Sequence, residues 1–259
     1  MIGRSIRIAL AAHWRGPRVL LMAIGLALIW TLGRFTNPWD LLAYATADDE
    51  LVLIVFPLYL FLLYRNLRHP GEALLAVRMG QARTWWGSHV AAAGLTAVLV
   101  TVGVTALVIV VAVTAHAWSW HWGPNVHVSM GTAVLTTPTW RIPWRWGLEA
   151  LGLMTAGLWS TGVLMYVLAL WWRSPWLAWI VVVLLSYLTR IAEATSAQFL
   201  LWVLPGVQFS LALHWMTPQR PVAPAWSFGY GVALLVAMTG VGVAIVEASP
   251  WDAHHGGAL

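Results

Sequence analysis

Only 9% of the residues in this 259-residue chain are charged, while 60% are apolar. Soluble domains carry charge on about a quarter of their residues. A chain with so few charges cannot cover a folded surface with groups that water solvates, so the bilayer is its solvent. A hydrocarbon core of about 30 Å needs roughly 20 helical residues to cross it. Apolar runs of suitable length predict six spans: Val19–Phe35, Leu51–Tyr64, Trp86–Thr114, Trp146–Trp172, Pro175–Thr189 and Phe228–Ala248. The expected fold is an all-α integral membrane protein with six transmembrane helices in one domain over residues 1–259.

An even number of spans puts both termini on one side, and arginine decides which. With the N-terminus inside, the inner segments hold Arg4, Arg7, Arg15, Arg18, Arg65, Arg68, Arg78, Arg83 and Arg173, and the outer segments hold Arg34, Arg141, Arg145, Arg190 and Arg220. Positive residues collect on the cytoplasmic side, so this distribution predicts a multi-pass protein of a cell membrane with both termini cytoplasmic. Asp40, Asp48, Asp49 and Glu50 cluster in the first outer loop, in the same sense.

Residues 1–18 are basic but lead into an apolar run without a small-residue cleavage site, so they read as the approach to the first span. At 100° per residue, Arg4, Arg7, Arg15 and Arg18 share one face, with Ile2, Ile6, Ala9 and His13 roughly opposite. The pattern fits an in-plane amphipathic helix with arginines toward lipid phosphates, and equally an ordinary positive-inside flank. Many of the 20 tryptophans lie at span ends, among them Trp85 and Trp86, Trp144 and Trp146, and Trp171, Trp172 and Trp176. Indoles prefer the headgroup level, so these read as interfacial anchors. In the fourth span Gly152, Ala156 and Ser160 recur every four residues, a small-residue stripe suited to close helix packing.

Absent residue types exclude functions. The chain has no cysteine, hence no disulfide, thiolate metal site or catalytic thiol. All 14 basic residues are arginine, so the lysine of a phosphate-binding P-loop is missing and the chain carries no such ATP site of its own. The arginines lie at span ends, where topology requires them, which argues against nucleic-acid binding. No H-E-x-x-H or mid-span carboxylate pair supports an intramembrane enzyme, and no cofactor is expected on this chain. Arg145 and Glu149, and Arg190 and Glu193, are spaced to pair locally on helices.

The segment 65–86, RNLRHPGEALLAVRMGQARTWW, is the arginine-rich break between the second and third spans. Pro70 suits the first turn of a new helix, Glu72 complements its positive end, and Gly80 is a natural stop. The result is a short helix across the inner face, offering Leu75, Val77 and Met79 as apolar contacts and Arg78 and Arg83 as charge.

Six spans, a basic amphipathic start and this inner helix together resemble the permease subunits of ABC-2 type transporters. The stretch LLAVRMGQARTWWGSHVAAAGL is similar to the arginine, glycine, basic, tryptophan pattern of bacterial members. The resemblance implies that the inner helix is a coupling helix docked on an ATP-binding subunit, with Glu72, Leu75, Arg78, Met79, Gly80 and Arg83 as contact residues. It also implies a second permease subunit, identical or homologous, ATP and Mg held by the partner, and export of an amphipathic or lipid-like substrate. The alternative of another class is a non-transporting membrane anchor in a respiratory or secretion complex.

Two outer regions complete the reading. In 190–226, the apolar run Phe199–Leu213 is broken by Pro205-Gly206 into halves too short to cross, which predicts a re-entrant or interfacial hairpin rather than a further span. In 115–145, His116, His121 and His127 lie in a tryptophan-rich stretch. Their spacing matches no metal-ligand pattern, and the segment reads as an aromatic interfacial cap.

Overall fold

In the computed structural model, the described residues are Trp39, Leu42, 54–67, 82–114, His121, 127–130, 133–136, 142–194 and 224–248. They form helices α1 (Phe56–Leu67), α2 (Ala82–Thr114), α3 (Pro143–Trp172), α4 (Pro175–Ala194) and α5 (Pro224–Ala248), with a short antiparallel pair β1 (His127–Met130) and β2 (Ala133–Thr136) between α2 and α3. The helical expectation holds for every membrane-length element. Three helices, α2, α3 and α5, are long and apolar enough to cross a membrane, and α1 and α4 contain shorter apolar stretches. The expected first span and the N-terminal arginines Arg4, Arg7, Arg15 and Arg18 lie outside the described residues, as do the coupling helix and Phe199–Leu213.

Proline sets the helix starts. Pro143, Pro175 and Pro224 each occupy a first helical position, where a missing N–H costs nothing and the fixed φ is already helical. The sixth span therefore begins four residues before the apolar run does. At the other end of α3, Arg173 adopts the left-handed conformation, φ 53° and ψ 26°. That geometry terminates a helix. Ser174 follows, its carbonyl accepting from the Ala178 amide at 3.1 Å, and α4 departs at once. The two helices are thus joined by Arg173 and Ser174 alone and run antiparallel. α4 continues to Ala194, beyond the expected Thr189, because a helix satisfies its own backbone regardless of the polarity of Arg190 and Glu193.

Helix α3 is the centre of the bundle, with α2, α4 and α5 packed around it and α1 against α4, α3 and α2. Its apolar window is 67% buried, against 41% in α2 and 17% in α5, so α5 leaves most of its surface for lipid or another chain. Cross-helix contacts fix the directions. Phe228 near the start of α5 lies against Gly152 in the first half of α3, and Arg83 at the start of α2 pairs with Glu247 at the end of α5. Tyr64 near the end of α1 meets Trp176 at the start of α4, with ring centroids 5.9 Å apart. One end of the bundle therefore gathers the end of α1, the start of α2, the α3–α4 turn and the end of α5. The opposite end holds Thr114, Pro143, Ala194 and Pro224. The helices flanking Phe199–Leu213 thus both meet that segment at the same end.

Three aromatic residues lock the helices together by one device. Trp159 of α3 donates its indole N–H to the Val90 carbonyl of α2 at 2.9 Å while its ring covers Gly94, one turn on. Trp86 of α2 donates to the Thr239 carbonyl of α5 at 3.0 Å and lies on Gly242. Tyr59 of α1 donates to the Ala93 carbonyl at 3.1 Å, its hydroxyl lying over Gly162 of α3. Midway along α2 and α3 the Thr101 and Thr155 hydroxyls are hydrogen-bonded at 3.0 Å, a second polar tie of the kind that holds helices together in lipid.

The burial of Trp85, Trp86 and Trp146 corrects the sequence reading of the span-end tryptophans. They are 8%, 1% and 0% exposed, whereas Trp144, Trp171, Trp172 and Trp176 are 50%, 68%, 39% and 51% exposed. The first group packs helices and only the second is placed to anchor at headgroups.

A Cβ added at Gly94 would lie 2.7 Å from Trp159 Cε2. Gly94→Ala is expected to destabilise the bundle by about 1–3 kcal/mol, the usual cost of overpacking a tight site. The measurement is the thermal unfolding midpoint in detergent. Gly87→Ala, at a position with open space around it, should leave the midpoint unchanged or raise it slightly.

Candidate functional site

The end that gathers α1, α2, α5 and the α3–α4 turn is where the arginine-rich 65–86 segment leaves and re-enters the bundle. Its two anchors are described: Arg65 is exposed in the last turn of α1, and Arg83 is exposed in the first turn of α2. Glu72, Leu75, Arg78, Met79 and Gly80 lie outside the described residues. Of the six residues implied as contacts for an ATP-binding subunit, the structure therefore describes Arg83 alone.

Arg83 forms an ion pair with Glu247, the penultimate residue of α5. The two side chains are 74% and 42% exposed, so water and salt reach both charges and the pair adds little to stability. Its value is geometric: it ties the first turn of α2 to the last turn of α5. Sequence reading had given Glu247 no role, because its partner is 164 positions away. One turn deeper, Trp86 on Gly242 joins the same two helices by packing and a hydrogen bond.

Beneath this pair lies an aromatic group built on His89. The imidazole is 9% exposed, with Nδ1 3.0 Å from the Trp85 carbonyl of its own helix. Its ring centroid is 4.2 Å from that of Trp85 and 5.6 Å from that of Tyr166 on α3, the latter edge-on. On the α4 side, Trp176 and Trp179 stack at 5.1 Å, and Trp179 donates to the Pro57 carbonyl of α1 at 3.3 Å. The end is thus a charged, exposed rim over a layer of packed aromatic rings. Among the described residues at this end no nucleophile–base pair is present.

The remaining sequence-derived residues fall elsewhere. Gly152 faces Phe228 of α5, whose ring would be 2.9 Å from an added Cβ. Ser160 is fully buried, its hydroxyl bonded to the Ala156 carbonyl at 2.8 Å, and Ala156 is half-buried. Arg145 Nε lies 3.8 Å from Glu149 Oε1, the local pairing expected from their spacing. Among the described residues no three His, Cys, Asp or Glu side chains are grouped to hold a metal ion. His121 is exposed, and His116 lies outside the described residues.

The described bundle is helical, and three of its helices have the length and composition of membrane spans, as in an α-helical membrane protein. Compared with known proteins, the chain matches no family model, no curated protein and no solved structure.

Because the chain is free of cysteine, Arg83→Cys and Glu247→Cys can be introduced together without background. A short bis-maleimide should then join α2 to α5, seen by mass spectrometry as a linked peptide pair. Arg83→Cys with Ile142→Cys, at opposite ends of the bundle, should give no such link.

Proposed function

We propose that the chain is the transmembrane permease subunit of an ATP-driven ABC exporter of the ABC-2 type. With a second permease chain it forms the path for an amphipathic or lipid-like substrate, and separate ATP-binding subunits hold ATP and Mg. The observation that carries this reading is the grouping of α1, α2 and α5 at the end where the 65–86 segment emerges. A partner docked on that segment, through Glu72, Leu75, Arg78, Met79 and Gly80, pushes directly on the first turn of α2.

The push then has a defined route. Arg83–Glu247 and Trp86 on Gly242 couple α2 to α5 at two adjacent turns, so the two helices tilt as one lever. α5 is the least buried of the long helices and has the most freedom to swing. α3, the most buried, serves as the fixed element against which they move. The apolar, nearly uncharged interior suits a substrate that is itself amphipathic or lipid-like. The absence of lysine is consistent with a chain that takes its ATP chemistry from a partner.

The test is capture of partners from its own membranes in mild detergent, with the bound chains identified. An ATPase bearing a P-loop should co-purify, and Arg78→Glu should reduce its capture while leaving the chain folded. Recovery of a redox protein or secretion component with no ATPase would overturn the proposal.

A further inference from the structure

The seam between α1 and α4 carries a run of aromatic rings that reaches the surface. Phe61 and Tyr64 of α1 have ring centroids 6.0 Å apart, Tyr64 and Trp176 of α4 are 5.9 Å apart, and Trp176 and Trp179 stack at 5.1 Å. Trp179 is held in turn by its hydrogen bond to the Pro57 carbonyl of α1. Tyr64 is buried in this run, whereas Phe61 and Trp176 are exposed. Near the Arg83 end the seam therefore presents an aromatic outer surface whose rings brace one another.

Two arginines flank the end of that surface. Arg65 follows Phe61 by four residues on α1, so the two exposed side chains share a face, with Arg65 one turn nearer the end of the bundle. Arg173 is exposed in the turn just before α4, three residues ahead of Trp176. The Tyr64–Trp176 contact brings the α1 terminus that carries Arg65 beside the turn that carries Arg173. Among the described residues neither arginine has an ion-pair partner. The carboxylate described at this end, Glu247, is held by Arg83, and Glu149 and Glu193 belong to the opposite end.

The neighbours of Arg173 set its depth. Trp171, Trp172 and Trp176 are exposed around it, and exposed indoles on membrane helices lie at the headgroup level. The anions standing at that level are lipid phosphates, and guanidinium groups bind phosphate through paired N–H donors. Phe61 lies a turn further into the bundle, where an acyl chain covers an apolar ring. A soluble acidic partner could meet the arginines but not Phe61. A phospholipid meets both, with its phosphate on the guanidinium groups and a chain on the rings.

We propose that Arg65 and Arg173, with Phe61 and Trp176, form a site for one anionic phospholipid at the α1–α4 seam. The negative headgroup lies on the two arginines, and an acyl chain lies on the aromatic run. A zwitterionic lipid brings a positive choline to the same arginines and binds less well. The site does not rest on the exporter reading, because both leaflets present phospholipid phosphates to a bundle of either orientation.

The full chain in mild detergent is titrated with dioleoyl phosphatidylglycerol and, separately, with dioleoyl phosphatidylcholine, and bound lipid is counted by native mass spectrometry. Phosphatidylglycerol should bind more tightly. Arg65→Gln and Arg173→Gln should each weaken it about fivefold, the worth of one arginine at an anionic membrane surface, and together weaken it further. Phosphatidylcholine binding should not change in these variants. Arg145→Gln, at the opposite end, should leave the binding of both lipids as it was. Both substituted arginines are exposed, so helix content by circular dichroism should match that of the parent chain. Phosphatidylglycerol binding that survives the double substitution overturns the proposal. So does an equal loss on Arg145→Gln, which would mean diffuse charge, or displacement of the lipid by millimolar inorganic phosphate, which would mean a free-anion site.

Discussion

In hydrocarbon, a buried indole or phenol must find an acceptor, and the acceptors within reach are helix carbonyls that already accept one bond. A carbonyl has a second lone pair, but the side chain one turn further along shields it. At two contacts the bundle meets this constraint by removing that side chain. Gly94 leaves the Val90 carbonyl open to Trp159, and Gly242 leaves the Thr239 carbonyl open to Trp86. Tyr59 uses a three-helix version, lying over Gly162 of α3 while it donates to α2. Lipid tails are as apolar as leucine, so apolar burial alone does not hold helices together; close packing and interhelical hydrogen bonds must. These three aromatic residues supply both at once, joining α1, α2, α3 and α5.

Much of the helical layout could be read from the sequence, and the physical reason is plain. Apolar runs of membrane length leave the backbone few alternatives to helix. Pro143 and Pro175 mark starts to within a few residues. Reading failed where polarity and secondary structure part company. Arg190 and Glu193 are within the last turns of α4, although they looked like its end. Trp85, Trp86 and Trp146 looked like anchors, but composition cannot tell a tryptophan beside a glycine on another helix from one at a headgroup. The strands at 127–136 are four residues each, too short for alternation to stand out, though the Gly131-Thr132 link was a usable signal.

The same limit governed the candidate site. Arg83 could be singled out because it follows an arginine-rich segment. Its pairing with Glu247 could not, because nothing local in either stretch refers to the other. The pair changes what Arg83 means. It joins two long helices and is also an accessible charge within the 65–86 segment. On the proposed reading, a partner docked there acts on α5 as well as on α2.

The functional account therefore turns on which side of the membrane the Arg83 end faces. Single cysteines at Glu247 and Ile142, one at each end, can be labelled with an impermeant maleimide in right-side-out and inverted vesicles. The account predicts that Glu247→Cys reacts only in inverted vesicles and Ile142→Cys only in right-side-out ones. The reverse pattern would put the Arg83 end outside the cell, beyond the reach of any cytoplasmic ATPase, and would contradict the exporter reading outright.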